Sequence, residues 1–202
     1  MSTDTCFDIE SVKIQSGSHV VFDWDNTLKL YDKKQRIISC RVDKHLLQTL
    51  KHEKQCKLYV ISAISPSRMG LETLVHEVSK LGLLDIFTEP DDEPTIHAGR
   101  YARKGNLITC GYDKAEIFLE LSGLGTRSEE RQSTQESTGR DEYEDDVIEV
   151  DGEDYVDSAR GVPSRAVNLP HTTPSVFFFD DEEVNITNFS TIVPNSKCYL
   201  VK

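Results

Sequence analysis

Nothing in this 202-residue sequence is arranged for a zinc site or a disulfide framework. The five cysteines, Cys6, Cys40, Cys56, Cys110 and Cys198, include no C-x-x-C pair, and an odd number leaves at least one thiol unpaired in any scheme. The six histidines form no H-E-x-x-H and no Cys/His group at zinc spacing. Unpaired thiols suit a reducing compartment, so the expected location is cytoplasmic, with the nucleus as the alternative. No apolar run approaches membrane length, and MSTDTCFDIE has neither a basic nor an apolar targeting region, so neither a membrane span nor secretion is expected.

A basic surface is also missing. The net charge is -12, but Glu129 to Asp157 alone holds 13 acids against two arginines, leaving the rest of the chain close to neutral. Such a chain has no electrostatic footprint for nucleic acid, and none is expected as a partner. The acidic tract reads as a solvated spacer, or as the docking site of a basic protein partner. From about 126 to 170 the sequence has little apolar periodicity, and a disordered insertion is expected there. Residues 1–17 read as an N-terminal segment and 18–202 as one domain around that insertion.

The remainder alternates short apolar runs with helical patterns. His19–Phe22, Leu58–Ile61, Val176–Phe179 and Cys198–Val201 suit strands buried on both faces of a parallel sheet. Between them, Asp43–Lys54, Ser67–Leu83 and Lys114–Leu124 carry apolar residues at helical spacing. The alternation predicts an α/β fold, a three-layer α/β/α Rossmann-like sandwich with a parallel sheet.

In such sheets, ligands bind outside the carboxyl ends of the strands. The first run ends in Asp23, Asp25 and Thr27, the second in Ser62, and the third in Asp180 and Asp181. Four acids delivered to one edge repel unless a cation lies between them, and an all-oxygen set favours a hard ion such as Mg²⁺. A metal among acids in turn suggests an anionic oxygen substrate. Trp24, the only tryptophan, lies between two of the acids, and strand alternation turns it away from them into the core.

The ordered set D-x-D-x-T, Ser, Lys, Asp-Asp resembles the haloacid dehalogenase superfamily over about residues 18–124 and 172–201. The likeness is greatest to its magnesium-dependent phosphatase group, through FDWDNTL and VFFFDDEEVNI, and weaker to the phosphatases of the RNA polymerase C-terminal domain. The resemblance implies a phosphomonoesterase. Asp23 would be the nucleophile and form an aspartyl-phosphate, and Asp25 would act as acid and then base, its carbonyl joining the Mg²⁺ shell. Thr27 would support the turn, and Ser62 would bond a phosphoryl oxygen. Lys114 would offset charge in the transition state, and Asp180 and Asp181 would hold Mg²⁺ with Asp23. Asn185 would support the paired acids.

The sequence also departs from the group. ISAISPSR leaves Ser65 as a rival to Ser62, and the acidic insertion has no counterpart among the small relatives. Asp23 to Ser62 and Phe87 to Lys114 leave too little sequence for a cap domain, so an open site is expected, taking an accessible phosphoester. A phosphoprotein, phosphotyrosine included, or a sugar phosphate would fit. Arg100, Arg103 and Lys104, with Tyr101, form either a receptor for a phosphorylated partner or an ordinary charged loop. The non-enzymatic alternative is a scaffold whose acidic insertion binds a basic partner.

Overall fold

A computed structural model describes residues 8–32, 34, 37–125 and 174–202. The chain divides into two units, Met1–Arg127 with Thr173–Lys202, and Ser128–Thr172. The second unit, and with it most of the expected insertion and its acidic tract, lies outside the described residues.

The first unit begins with a short 3-10 turn, Ile9–Ser11, and then β1 (His19–Phe22). A two-stranded antiparallel hairpin follows, β2 (Lys29–Asp32) and β3 (Ile37–Cys40). Next come α1 (Lys44–Gln48), running into a π-helical turn at Thr49–Glu53, then β4 (Lys57–Ser62), α2 (Arg68–Lys80) and α3 (Leu84–Phe87). β5 (Thr95–His97), β6 (Tyr101–Lys104), β7 (Leu107–Thr109) and α4 (Lys114–Ser122) complete the part before residue 126. After it come β8 (Val176–Asp180), α5 (Glu183–Ile192) and β9 (Ser196–Leu200).

Seven strands form one sheet in the order β5-β6-β7-β4-β1-β8-β9. The pairs β7·β4, β4·β1, β1·β8 and β8·β9 are parallel, and only the β5–β6 extension is antiparallel. β1 therefore lies central, with its residues buried on both faces. Alternation along it divides the core. Val20, Phe22 and Trp24 pack with Leu47, Leu74 and Val78, whereas Val21 packs with Phe118 and Phe189 of α4 and α5. Helices cover both faces, as the strand-helix alternation predicts. Ile9 and Ile14 are buried in the first of these clusters, so residues 8–17 belong to the domain rather than standing apart from it. The helix starts follow from local chemistry. Asp43 accepts from the His45 amide at 2.9 Å, and Ser67 caps α2 through the Gly70 amide at 3.1 Å.

His19 opens β1 and is 4% exposed, stacked on Tyr59 at 5.7 Å and edge-on to Phe118 at 5.9 Å. Burial, with the nearby Lys57 charge, lowers its pKa to about 4 from the usual 6.5. The unfolded chain therefore binds the extra proton between those values, and stability falls as pH drops from about 6.5 towards 4. Thermal melts across that window should show a descending limb that is shallower in His19→Gln. Equal slopes in the two proteins would refute this account.

Candidate active site

The carboxyl edge of the sheet gathers residues from three distant segments. Asp23 follows β1, its amide donating to the Phe179 carbonyl at 2.9 Å. Asp180 ends β8, one strand away, and Lys114 begins α4. The Lys114 Nζ donates to Asp23 Oδ1 and to Asp180 Oδ2, both at 2.7 Å. All three side chains are buried, at 4%, 8% and 0% exposure respectively. A lysine opening a helix is ordinarily solvated, so its burial between two acids marks a built site.

Asp180 is held from several directions. Its Oδ1 accepts from the Glu182 amide at 2.9 Å, and Asn185 Nδ2 reaches Oδ1 at 3.0 Å and Oδ2 at 3.2 Å. Asn185 therefore holds both oxygens of this acid. Asp181 completes a group in which Asp23, Asp180 and Asp181 each offer an oxygen, all within 4.8 Å of one another. An oxygen-only set of this kind suits a hard cation such as Mg²⁺. Three carboxylates against one ammonium leave two negative charges, which a divalent cation would balance.

Burial pushes the Asp23 carboxyl up to about 7, with the Lys114 charge pulling down and Asp180 pushing up. Burial alone would lower the Lys114 ammonium, but the charges of Asp23 and Asp180 overcome it and hold it above the usual lysine value. Lys114 thus stays cationic, and Asp23 carries the charge most in need of neutralisation.

The Asp25 carboxylate is 51% exposed and turned to Lys29, with Oδ1 2.5 Å from Nζ, so this side chain lies outside the acid cluster; the metal contact expected of Asp25 is through its backbone carbonyl. The Lys29 Nζ in turn donates to Glu77 Oε2 at 2.9 Å, and the same oxygen accepts from the Trp24 indole at 2.7 Å. Burial alone would lower the Lys29 ammonium, but its bonds to Asp25 and Glu77 outweigh this and raise it. Trp24 is fully buried in the core, as alternation requires.

The turn after Asp23 is fixed by its backbone. Asn26 has a left-handed φ of 57°, which asparagine tolerates better than most residues. Arg41 clamps the turn, donating to the Asn26 carbonyl at 2.6 Å and to the Thr27 carbonyl at 2.9 Å. Thr27 itself is fully buried, and its hydroxyl is the one buried side-chain N or O among the described residues without a partner. A buried hydroxyl without a partner costs free energy unless something else bonds it.

Of the two serines, Ser62 is buried at the end of β4, and its Oγ accepts weakly from the Ile64 amide at 3.4 Å. Ser65 is exposed in the following loop. That loop is wedged against α2. A Cβ on Gly70 would stand 2.2 Å from the Ser65 carbonyl oxygen, so Gly70→Ala must push the loop aside. A destabilisation of about 1–3 kcal/mol is expected in a denaturant melt. An unchanged midpoint would show that the loop yields freely.

The basic residues of the hairpin do not converge. Arg100 pairs with Glu120 at 2.8 Å, while Arg103 and Lys104 alternate along β6 and so project from opposite faces of the sheet. Lys29, Glu77 and Arg41 were not singled out from the sequence. A glutamate between the buried positions Leu74 and Val78 of an amphipathic helix is the signal that could have found Glu77.

Among the described residues, Cys40, Cys56, Cys110 and Cys198 are free thiols, and no helix is long and apolar enough to cross a membrane. A scan against protein-family models, a search of curated proteins and a search of solved structures each find no match.

Proposed function

We propose that this chain is a Mg²⁺-dependent phosphomonoesterase of the haloacid dehalogenase type, in the pattern of the magnesium-dependent phosphatases. The observation that carries the reading is the buried Lys114 bridge, 2.7 Å to Asp23 and 2.7 Å to Asp180, beside a third acid at Asp181. A nucleophilic carboxylate, a fixed cation and an oxygen-only metal set are what phosphoryl transfer needs.

In this reading Asp23 attacks phosphorus, the ester P–O bond breaks, and the leaving oxygen takes a proton from Asp25, giving the alcohol and an aspartyl-phosphate. Water then attacks phosphorus and yields its proton to Asp25. The bond to Asp23 breaks, releasing inorganic phosphate and restoring the Asp23 carboxylate. Lys114 stabilises the charge on the transferring group throughout, and Ser62 donates to a phosphoryl oxygen. The buried Thr27 hydroxyl supports the turn. Asp23, Asp180 and Asp181 would hold Mg²⁺, whose charge would let an anionic phosphate approach these acids. Among the described residues the insertions around the site are hairpins, not a domain, which favours an accessible phosphoester on a protein side chain or a sugar.

The test is hydrolysis of an aryl phosphate by the intact protein with and without Mg²⁺, run beside a Mg²⁺ titration of Trp24 emission. Trp24 is the sole tryptophan and adjoins Asp23, so its emission should change as the ion binds. Metal-dependent release of phosphate is expected. Metal binding without hydrolysis of aryl, peptide or sugar phosphates would overturn the enzymatic reading and favour a scaffold.

A further inference from the structure

Among the described residues, the exposed large apolar side chains are Tyr31, Met69, Ile96, Tyr112 and Val184. They are not spread evenly. Ile96 belongs to the edge strand β5, but each of the other four follows the carboxyl end of a different strand of the parallel block β7-β4-β1-β8. Tyr31 lies on the hairpin after β1, Met69 in the first turn of α2 after β4, Tyr112 between β7 and α4, and Val184 in the first turn of α5 after β8. Neighbouring strands stand about 4.8 Å apart, so the four connections leave a strip of sheet edge only about 14 Å wide. The acids and the lysine of the candidate site lie on that strip.

Chain geometry ties three of the four to the site. Consecutive Cα atoms are about 3.8 Å apart, so the Tyr112 Cα is within about 8 Å of that of Lys114. Val184 adjoins Asn185, which holds Asp180. Met69 adjoins Gly70, against which the loop after Ser62 is wedged, and in that loop the Ile64 carbonyl accepts from the Gly111 amide, next to Tyr112, at 3.4 Å. Met69, Tyr112 and Val184 are 75%, 80% and 68% exposed, whereas further along α2 the exposed positions are Glu72, Thr73, His76, Ser79 and Lys80. Single exposed apolar residues are ordinary on a protein surface, but a group of them around a polar centre marks a binding face.

The centre suits a phosphoryl group, and the rim meets what is attached to it. A sugar's hydroxyls need polar partners, which methionine and valine do not offer. A polypeptide presents apolar side chains on either side of a phosphorylated residue. Exposed acids also flank the rim, Asp113 beside Tyr112, and Glu182 and Glu183 beside Val184, and these complement basic residues of the same segment. We infer that Met69, Tyr112 and Val184, with Tyr31 on the hairpin, form a docking rim for a phosphorylated segment of a partner protein, one with apolar residues next to the phosphorylated side chain and basic residues beyond them. The inference rests on the phosphomonoesterase reading and narrows its substrate class.

The test uses the full chain with Mg²⁺ and three peptides of equal length, each made with phosphoserine and with phosphotyrosine, beside an aryl phosphate and sugar phosphates. The first peptide has leucines flanking the phosphorylated residue and lysines beyond, the second has glycines in place of the leucines, and the third has glutamates in place of the lysines. kcat/KM for the leucine peptide should exceed that for the glycine peptide about tenfold, as partial burial of a leucine side chain provides. The glutamate peptide should be several-fold slower than its lysine counterpart, by a margin that narrows as salt is raised. In the triple variant Met69→Ser, Tyr112→Ser, Val184→Ser the leucine-to-glycine ratio should fall to about twofold or less, because the surface that distinguishes the two is gone. Ile96→Ser, which removes an exposed apolar residue four strands from β1, should keep the wild-type ratio. Equal turnover of the leucine and glycine peptides, a ratio unmoved by the triple variant, a glutamate peptide turned over as fast as the lysine one, or hydrolysis of aryl or sugar phosphates but of no peptide would overturn the inference and leave the phosphomonoesterase reading standing. If the wild type releases phosphate from no ester, that reading itself fails, and the inference with it.

Discussion

Lys114→Met should unfold at markedly lower denaturant than the wild type when metal is absent. Its ammonium is the cation within bonding distance of Asp23 and Asp180, and its removal leaves two buried carboxylates facing each other. Breaking a buried pair from one side costs about 3–5 kcal/mol, most of it from the charge left uncompensated. The sign of the pH response follows from that cause. Burial already raises the Asp23 carboxyl to about 7, and without the Lys114 charge it rises further, so the loss should shrink as pH falls and this acid takes up its proton. Added Mg²⁺ should recover more stability in the variant than in the wild type, because the ion replaces the missing charge. Activity should fall about 10²–10³-fold even when the protein is folded by the ion, since the transition state loses its fixed cation. A wild-type melt in the absence of metal, with no pH response, would show that Lys114 is not what neutralises these acids.

Asp23→Asn should separate activity from stability. The asparagine oxygen can still accept from Lys114, whereas the amide cannot attack phosphorus, so aryl phosphate hydrolysis should fall on the order of 10⁴-fold or more. Stability should not follow. Burial pushes the Asp23 carboxyl up to about 7, which means that its charge is held at a cost near neutral pH. The uncharged substitute should melt at the same temperature or higher, as expected where a site is kept for chemistry rather than for folding. The change in Trp24 emission with Mg²⁺ should weaken as well, because one of three carboxylates is gone. A variant that hydrolyses at a tenth of the wild-type rate would exclude Asp23 as the nucleophile. One that is inactive but several kcal/mol less stable would show that the carboxylate is structural.

The strands that carry the acids were legible because they are buried on both faces. HVVF, LYVI and VFFF are continuous apolar runs, and the structure places them side by side as β4, β1 and β8. The weaker elements escaped for physical reasons. β7 is three residues long, β2 buries none of its residues fully, and α5 has only Phe189 fully buried, so none carries a strong hydrophobic period. Lys114 was identifiable by its place in the motif order, yet its two equal bonds depend on α4 beginning beside β8, which no local spacing reports.

By itself the sequence determined that this is an α/β chain with acids at the ends of its apolar runs, because burial on a sheet and polarity at its edge leave a local pattern of residue types. It also confined the acidity to one tract. Only the tertiary structure decided how those acids are used. Asp23, Asp180 and Asp181 gather at one place, the first two bridged by Lys114, whereas Asp25, two residues from Asp23, is drawn off by Lys29. The physical reason is that Lys29 is itself held by Glu77, 48 residues further along the chain, and a charge follows the counter-charge that the fold brings nearest.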